Sequence, residues 1–261
     1  MSSLPTLFVS HGSPMLALQD SPARRFLQGL GASLPRPRAI AVVSAHWETV
    51  GTPAVSLAAD PETIHDFGGF PQALFDLVYP APGDPQSAEQ AARLFEAAGM
   101  RVQRVGDRGL DHGAWVPLHL MYPQADIPVF QISLVRGAGP TAHQQFGRAL
   151  QVLRHEGVLL IGSGSLTHNL HEIRGQTIDA PTPEWVLGFE AWMRKSLVAN
   201  DHAALLAYRT LAPDAIRNHP SEEHLLPLFV AMGAAGPNAQ AQLLHASVEH
   251  GVLAMDAYAF N

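Results

Sequence analysis

Four runs of the chain are apolar at almost every position: 6–9 (TLFV), 39–43 (AIAVV), 129–134 (VFQISL) and 158–161 (VLLI). Short runs that do not alternate with polar residues read as strands covered on both faces, the habit of a parallel sheet. Between and beyond them, at 22–33, 85–98, 141–155 and 183–199, apolar residues return every three or four positions, as in helices with one buried stripe. Strands alternating with helices predict an α/β fold, a three-layer sandwich with a central, mainly parallel (mixed) sheet flanked by helices. The last two segments, 242–250 and 251–260, read as strands turning about Gly251 and added antiparallel to the sheet. The proline-rich stretches PAPGDP at 80–85 and DAPTP at 179–183 read as rigid loops, so residues 1–261 are taken as one domain.

Three of the apolar runs lead into small residues and then a histidine. Residues 6–9 lead through Ser10 to His11, residues 39–43 through Ser44-Ala45 to His46, and residues 158–161 through Gly162-Ser163-Gly164 towards His168. In open α/β sheets ligands bind beyond the carboxyl ends of the strands, which is where these histidines fall. Composition sharpens the point, because fourteen histidines stand against sixteen Lys plus Arg, and there is no cysteine. Disulfides, thiolate ligands and a cysteine nucleophile are excluded, so a bound metal must use His, Asp, Glu or water. A net charge of −7 without a basic stripe argues against a nucleic-acid partner. No apolar run is long enough to span a membrane, and MSSLPTLFVSHGSPM lacks the charged and apolar regions of a signal peptide, so a cytoplasmic protein is expected.

Each candidate site residue has a plain structural alternative. His11 (in SHGSP) and His46 (in SAHW) are each a strand-end histidine that a carbonyl could satisfy, but two on two strands of one sheet make half of a metal shell. In TIHDFGGFP (63–71), Phe67 and Phe70 flank two glycines in a loop suited to covering a flat ligand. There His65 and Asp66 can pair, or Asp66 can merely close a turn. In GLDHGAW (109–115), His112 can donate to a ligand oxygen, or else Asp111 merely caps a helix with His112 facing solvent. In GSGSLTHNL (162–170), small residues allow close approach and His168 is a candidate acid/base or ligand. In HPSEEHLLPL (219–228), Ser221 is expected to cap a helix with Glu222 and Glu223 in its first turn and His224 at its third position. Trp47 is either a cavity wall or packing. His119, His143, His155, His202, His245 and His250 lack such contexts and are expected to be structural or superficial.

Taken together and in order, HGSPM, SAHW, TIHDFGGFP, GLDHGAW, SGSLTHNL and HPSEEHLLPL resemble the DOPA-type extradiol ring-cleaving dioxygenases of the class III, LigB-like superfamily. The resemblance implies an enzyme that opens a catechol such as DOPA with O2. It implies His11, His46 and His224 as metal ligands, with His168 as acid/base or a further ligand and His112 in the pocket. His65, Phe67, Phe70, Trp47 and Asp111 are then expected around the substrate. The broader superfamily more often has a Glu as third ligand, which keeps Glu222 and Glu223 open. The implied cofactor is Fe(II) in the working enzyme, with Zn(II) in isolated forms, and the protein is expected as a monomer or homodimer. Two other readings remain on these residues, a zinc hydrolase and a Memo-like binding protein without catalysis.

Overall fold

The computed structural model describes residues 3–261; Met1 and Ser2 of the segment read for a signal peptide lie outside the described residues. Among the described residues there are ten strands: β1 (Thr6–Ser10), β2 (Ala39–Thr49), β3 (Ala54–Ser56), β4 (Gln103–Val105), β5 (Val129–Val135), β6 (Val158–Gly164), β7 (Ala241–His245), β8 (Val248–Glu249), β9 (Leu253–Ala254) and β10 (Ala257–Phe260). Eight of them form one sheet in the order β4-β3-β5-β2-β6-β1-β10-β7. The central strands β5, β2, β6 and β1 run parallel, while β3 joins β5, and β10 joins β1, in antiparallel fashion.

Side chains sort by parity onto the two faces. Ala39, Ala41 and Val43 join one core with Phe95 and Phe229, whereas Ile40 and Val42 join the other with Leu27 and Trp115. Both faces are dry, which is why these strands carry no polar alternation. Each fully buried Leu, Ile or Phe contributes roughly 1.5–3 kcal/mol to holding the layers together. Among the described residues no helix is long and apolar enough to cross a membrane.

The helices expected at 22–33, 85–98 and 183–199 appear as Pro22–Ser33, Pro85–Ala97 and Glu184–Val198. The one expected at 141–155 is an α-helix only over Gly139–Leu150, then tightens into a 3-10 turn, Gln151–Glu156, closed by Gly157 at φ 79°. At the carboxyl end, β7 and β10 do extend the sheet antiparallel, but the residues between them leave it and fold into the small β8–β9 hairpin. His250 and Gly251 turn that hairpin at φ 53° and 68°.

Asp256, between β9 and β10, is fully buried. One oxygen accepts from Tyr258 at 3.1 Å and lies 3.6 Å from Arg194, and the other has no partner. Burial, then the nearby Glu190, push its pKa up to about 7. An acid raised this way favours folding most below its unfolded pKa of about 4, and that contribution is lost as pH rises to about 7. Asp256→Asn is therefore expected to raise stability at pH 8 by up to about 4 kcal/mol and to change it little near pH 4. Urea unfolding of both proteins at the two pH values checks this, and an equal effect at both would contradict it.

Candidate metal centre and its cavity

Three histidines reach one point from three elements. His11 follows β1 directly, its N–H bonded to the Gly164 carbonyl at 2.9 Å. His46 is not the last residue of its strand as expected, because β2 continues to Thr49. Instead it sits in a bulge. Val43 pairs with Ile132 and Glu48 with Leu134, so residues 44–47 stand opposite Ser133 alone. A bulge re-aims side chains, and here His46 faces His11 while Trp47 faces away.

The third element corrects the expected helix at 221. The helix begins at Leu226, with Pro227 near its start. Ser221 donates to the Glu223 carboxylate at 3.0 Å and caps nothing. His224 lies in the turn before the helix, its carbonyl accepting from Ser165 N–H at 2.8 Å. That approach needs Gly164, since a Cβ there would stand 2.0 Å from the same carbonyl oxygen.

The candidate ligand atoms of His11, His46 and His224 all lie within 4.8 Å of one another. Their protonation can be followed outwards. Pro117 has no N–H, so the Gly113 carbonyl four residues earlier in the helix His112–Met121 is free. The Ser163 hydroxyl donates to that carbonyl. Ser163 can then only accept from His11 Nδ1 at 3.0 Å, which leaves His11 Nε2 as a bare lone pair. His224 Nδ1 donates to Glu223 at 3.0 Å, and its Nε2 is buried without a partner. Asp66 lies 3.7 Å from His46 Nδ1 and favours the proton there, while His46 Nε2 faces His11 Nε2 at 3.0 Å.

Burial, then the other histidines, holds His11 and His224 well below the usual imidazole range. His46 falls to about 4, again first by burial. Neutral rings with converging lone pairs and no proton donor between them fit a divalent cation. Glu222 points elsewhere, accepting from Tyr208 at 3.1 Å, so of the two glutamates only Glu223 touches the centre.

His168 stacks on His224, with ring centroids 3.4 Å apart and planes 7° from parallel. Burial lowers its pKa to about 4, leaving a neutral ring able to take a proton. His112 is buried, not solvent-facing, and its ring lies 3.9 Å from that of His46. Asp111 caps this helix by accepting from Ala114 N–H at 3.2 Å. Asp66 accepts from the His112 N–H at 2.9 Å and closes no turn of its own. Burial pushes the Asp66 pKa up, but the hydrogen bonds and charge of His112 outweigh it and hold it at about 2.

Above this cluster opens a cavity of about 710 Å³ lined by His46, Asp66, Phe67, Phe70, His112, His168, Glu223 and His224 among others. Phe67 and Phe70 meet edge to face at 5.4 Å and form one wall. Three residues expected around a substrate are not among its lining. Trp47 is buried under the Arg108 guanidinium, 5.2 Å from its ring. His65 donates to the Leu77 carbonyl at 3.0 Å and props Phe67 from behind, so it does not pair with Asp66.

Asp111 is fully buried beneath the cavity, where Ser44, Gln131 and Arg108 donate to it at 2.6, 2.8 and 2.8 Å. It ties β2 to the start of the His112 helix and thereby positions both histidines. His250, expected to be superficial, lines the cavity mouth. No local motif marked it, because its placement depends on the hairpin folding back. Ser163 and Pro117 were also missed, although a proline inside a helical pattern always signals a free carbonyl four residues earlier.

A family model described as the catalytic LigB subunit of aromatic ring-opening dioxygenase matches residues 5–260. A Beta vulgaris protein named 4,5-DOPA dioxygenase extradiol is 43% identical over 259 residues, covering 98% of this chain and 96% of its own. An Escherichia coli (strain K12) protein of the same name is 42% identical over 234 residues, covering 88% of this chain and 85% of its own. Among solved structures, an uncharacterized protein JW3007 from Escherichia coli K12 superposes with a TM-score of 0.82 at 33% identity, covering 99% of this chain and 100% of that one.

Proposed function

The chain belongs to the LigB family of aromatic ring-opening dioxygenases and is an extradiol ring-cleaving dioxygenase, and from that premise we propose that His11, His46 and His224 hold Fe(II) through their Nε2 atoms and that a catechol such as DOPA is opened above them. The observation that carries the ligand set is the buried, partnerless Nε2 of His224 aimed at the facing Nε2 atoms of His11 and His46.

Iron bound there supplies Lewis acidity to the catechol oxygens and electron transfer between ring and O2. The protein supplies the rest. Phe67 and Phe70 hold the ring flat and keep water from it. His168, neutral and facing the same cavity, takes the proton of a catechol hydroxyl and returns it as the ring opens. His112, held by Asp66, offers a donor beside His46. The bond broken is the carbon–carbon bond next to the diol. Both atoms of O2 enter the product, and the catechol itself supplies the electrons, so no outside reductant is needed.

Relatives named for 4,5-DOPA make DOPA the first substrate to try. Protein loaded with Fe(II) under argon and then given DOPA and air is expected to consume one O2 per DOPA and to form a yellow semialdehyde acid. The Zn(II) form is expected to be silent. Absence of oxygen uptake with every catechol tried would overturn the proposal.

A further inference from the structure

The charges around the cavity carry information about the part of the substrate away from the diol. At about 710 Å³ the cavity exceeds what one ring needs and leaves room for a ring substituent. Among the described residues lining it there are two carboxylates, Asp66 and Glu223, and no Lys or Arg. Asp66 is engaged at both oxygens, Oδ1 accepting from His112 and Oδ2 facing His46 Nδ1 at 3.7 Å, whereas Glu223 accepts from His224 and Ser221 through Oε1 and keeps Oε2 free of hydrogen bonds.

Two guanidinium groups next to the cavity are committed elsewhere. Arg108, below the cavity floor, is bound to Asp111 at 2.8 Å. Arg217, in the surface cleft that shares Gln176 and His250 with the cavity mouth, is paired with Glu172 at 2.9 Å and stacked on Trp185. Towards the mouth the polar lining is Ser13, Gln19, Gln176 and His250, which offers hydrogen bonds but no fixed cation.

We propose that this site selects catechols by the charge of the ring substituent, accepting cationic and zwitterionic tails and rejecting anionic ones. The inference rests on reading the cavity as the catechol site. A divalent ion is already matched by two carboxylates and a catecholate. A further carboxylate entering with the substrate meets two like charges in a partly desolvated space, with no guanidinium or ammonium in the cavity lining to pair with. An ammonium tail meets the free Glu223 oxygen and the negative field of Asp66 instead. A zwitterionic amino-acid tail carries both and falls between.

Zinc-loaded protein, which binds without turnover, titrated by calorimetry with three catechols of similar length separates the cases: an ethylammonium tail (dopamine), an alanine tail (DOPA) and a propionate tail. The expected dissociation constants rise in that order, with the propionate at least tenfold weaker than the amine. Gln176→Lys, which places an ammonium at the cavity mouth, is expected to tighten the propionate and weaken the amine, each severalfold. Propionate binding as tight as the amine in the unaltered protein overturns the inference. The iron-loaded protein given the same three compounds tests the reading beneath it, because failure to consume oxygen with any of them sinks the dioxygenase assignment of the cavity whatever the binding order.

Discussion

Replacing His224 with alanine is expected to weaken the protein's hold on Fe(II) and Zn(II) by more than a hundredfold and to abolish oxygen uptake. The scale follows from comparison with a lesser change. Loss of a group that merely orients a metal-bound imidazole costs on the order of 10–100-fold in affinity, and loss of the imidazole itself must cost more. Glu223 is such an orienting group, since its carboxylate accepts from His224 Nδ1 at 3.0 Å and fixes which nitrogen faces the centre. Glu223→Gln is therefore expected to fall within that smaller range. The pair of variants separates the two candidates for third ligand. A chelator competition in which Glu223→Gln lost more affinity than His224→Ala would make the carboxylate the ligand. Circular dichroism of both metal-free proteins guards against mistaking unfolding for metal loss.

His168→Ala is expected to keep its metal and lose turnover. His168 stacks on His224 without joining the group formed by His11, His46 and His224, so the ion should stay near wild-type occupancy. What is lost is a neutral base held by burial at a pKa of about 4, facing the space where a catechol hydroxyl must give up its proton. A positioned acid/base group is worth roughly 10²–10⁴-fold in rate, and kcat is expected to fall by that factor with the metal content unchanged. Turnover at the wild-type rate would remove His168 from the chemistry. Metal lost in step with activity would make it a ligand instead.

The residues legible from sequence share one property, which is that their local context specifies them. His11 and His46 follow apolar runs with no polar alternation, which fit the doubly covered centre of a sheet and place both side chains towards its carboxyl edge. The helix cap at Asp111 was legible as the plain alternative to substrate contact, because capping involves only the next three residues.

The misreadings have the opposite character. Ser221 had the residue type of a cap, yet the turn at 221–225 is held by Ser165 and by Pro227, neither of which a window around Ser221 weighs correctly. Trp47 shared a motif with His46, but adjacent residues of a bulged strand face different ways, and Arg108 lies on its side of the strand.

By itself, then, the sequence determined the three-layer α/β architecture, the absence of thiolate chemistry, and the histidines near the carboxyl ends of β1, β2 and β6, since periodicity and composition are local quantities. Only the tertiary structure decided which nitrogen each histidine turns inward, because that depends on Ser163, Gly113 and Pro117 acting through a helix from another part of the chain. It also decided that Asp111 supports the site from beneath and that His250 reaches its mouth, and that no Lys or Arg among the described residues lines the cavity. A hydrogen-bond partner or a cavity wall is fixed by which distant segments pack together, and no local window of sequence carries that information.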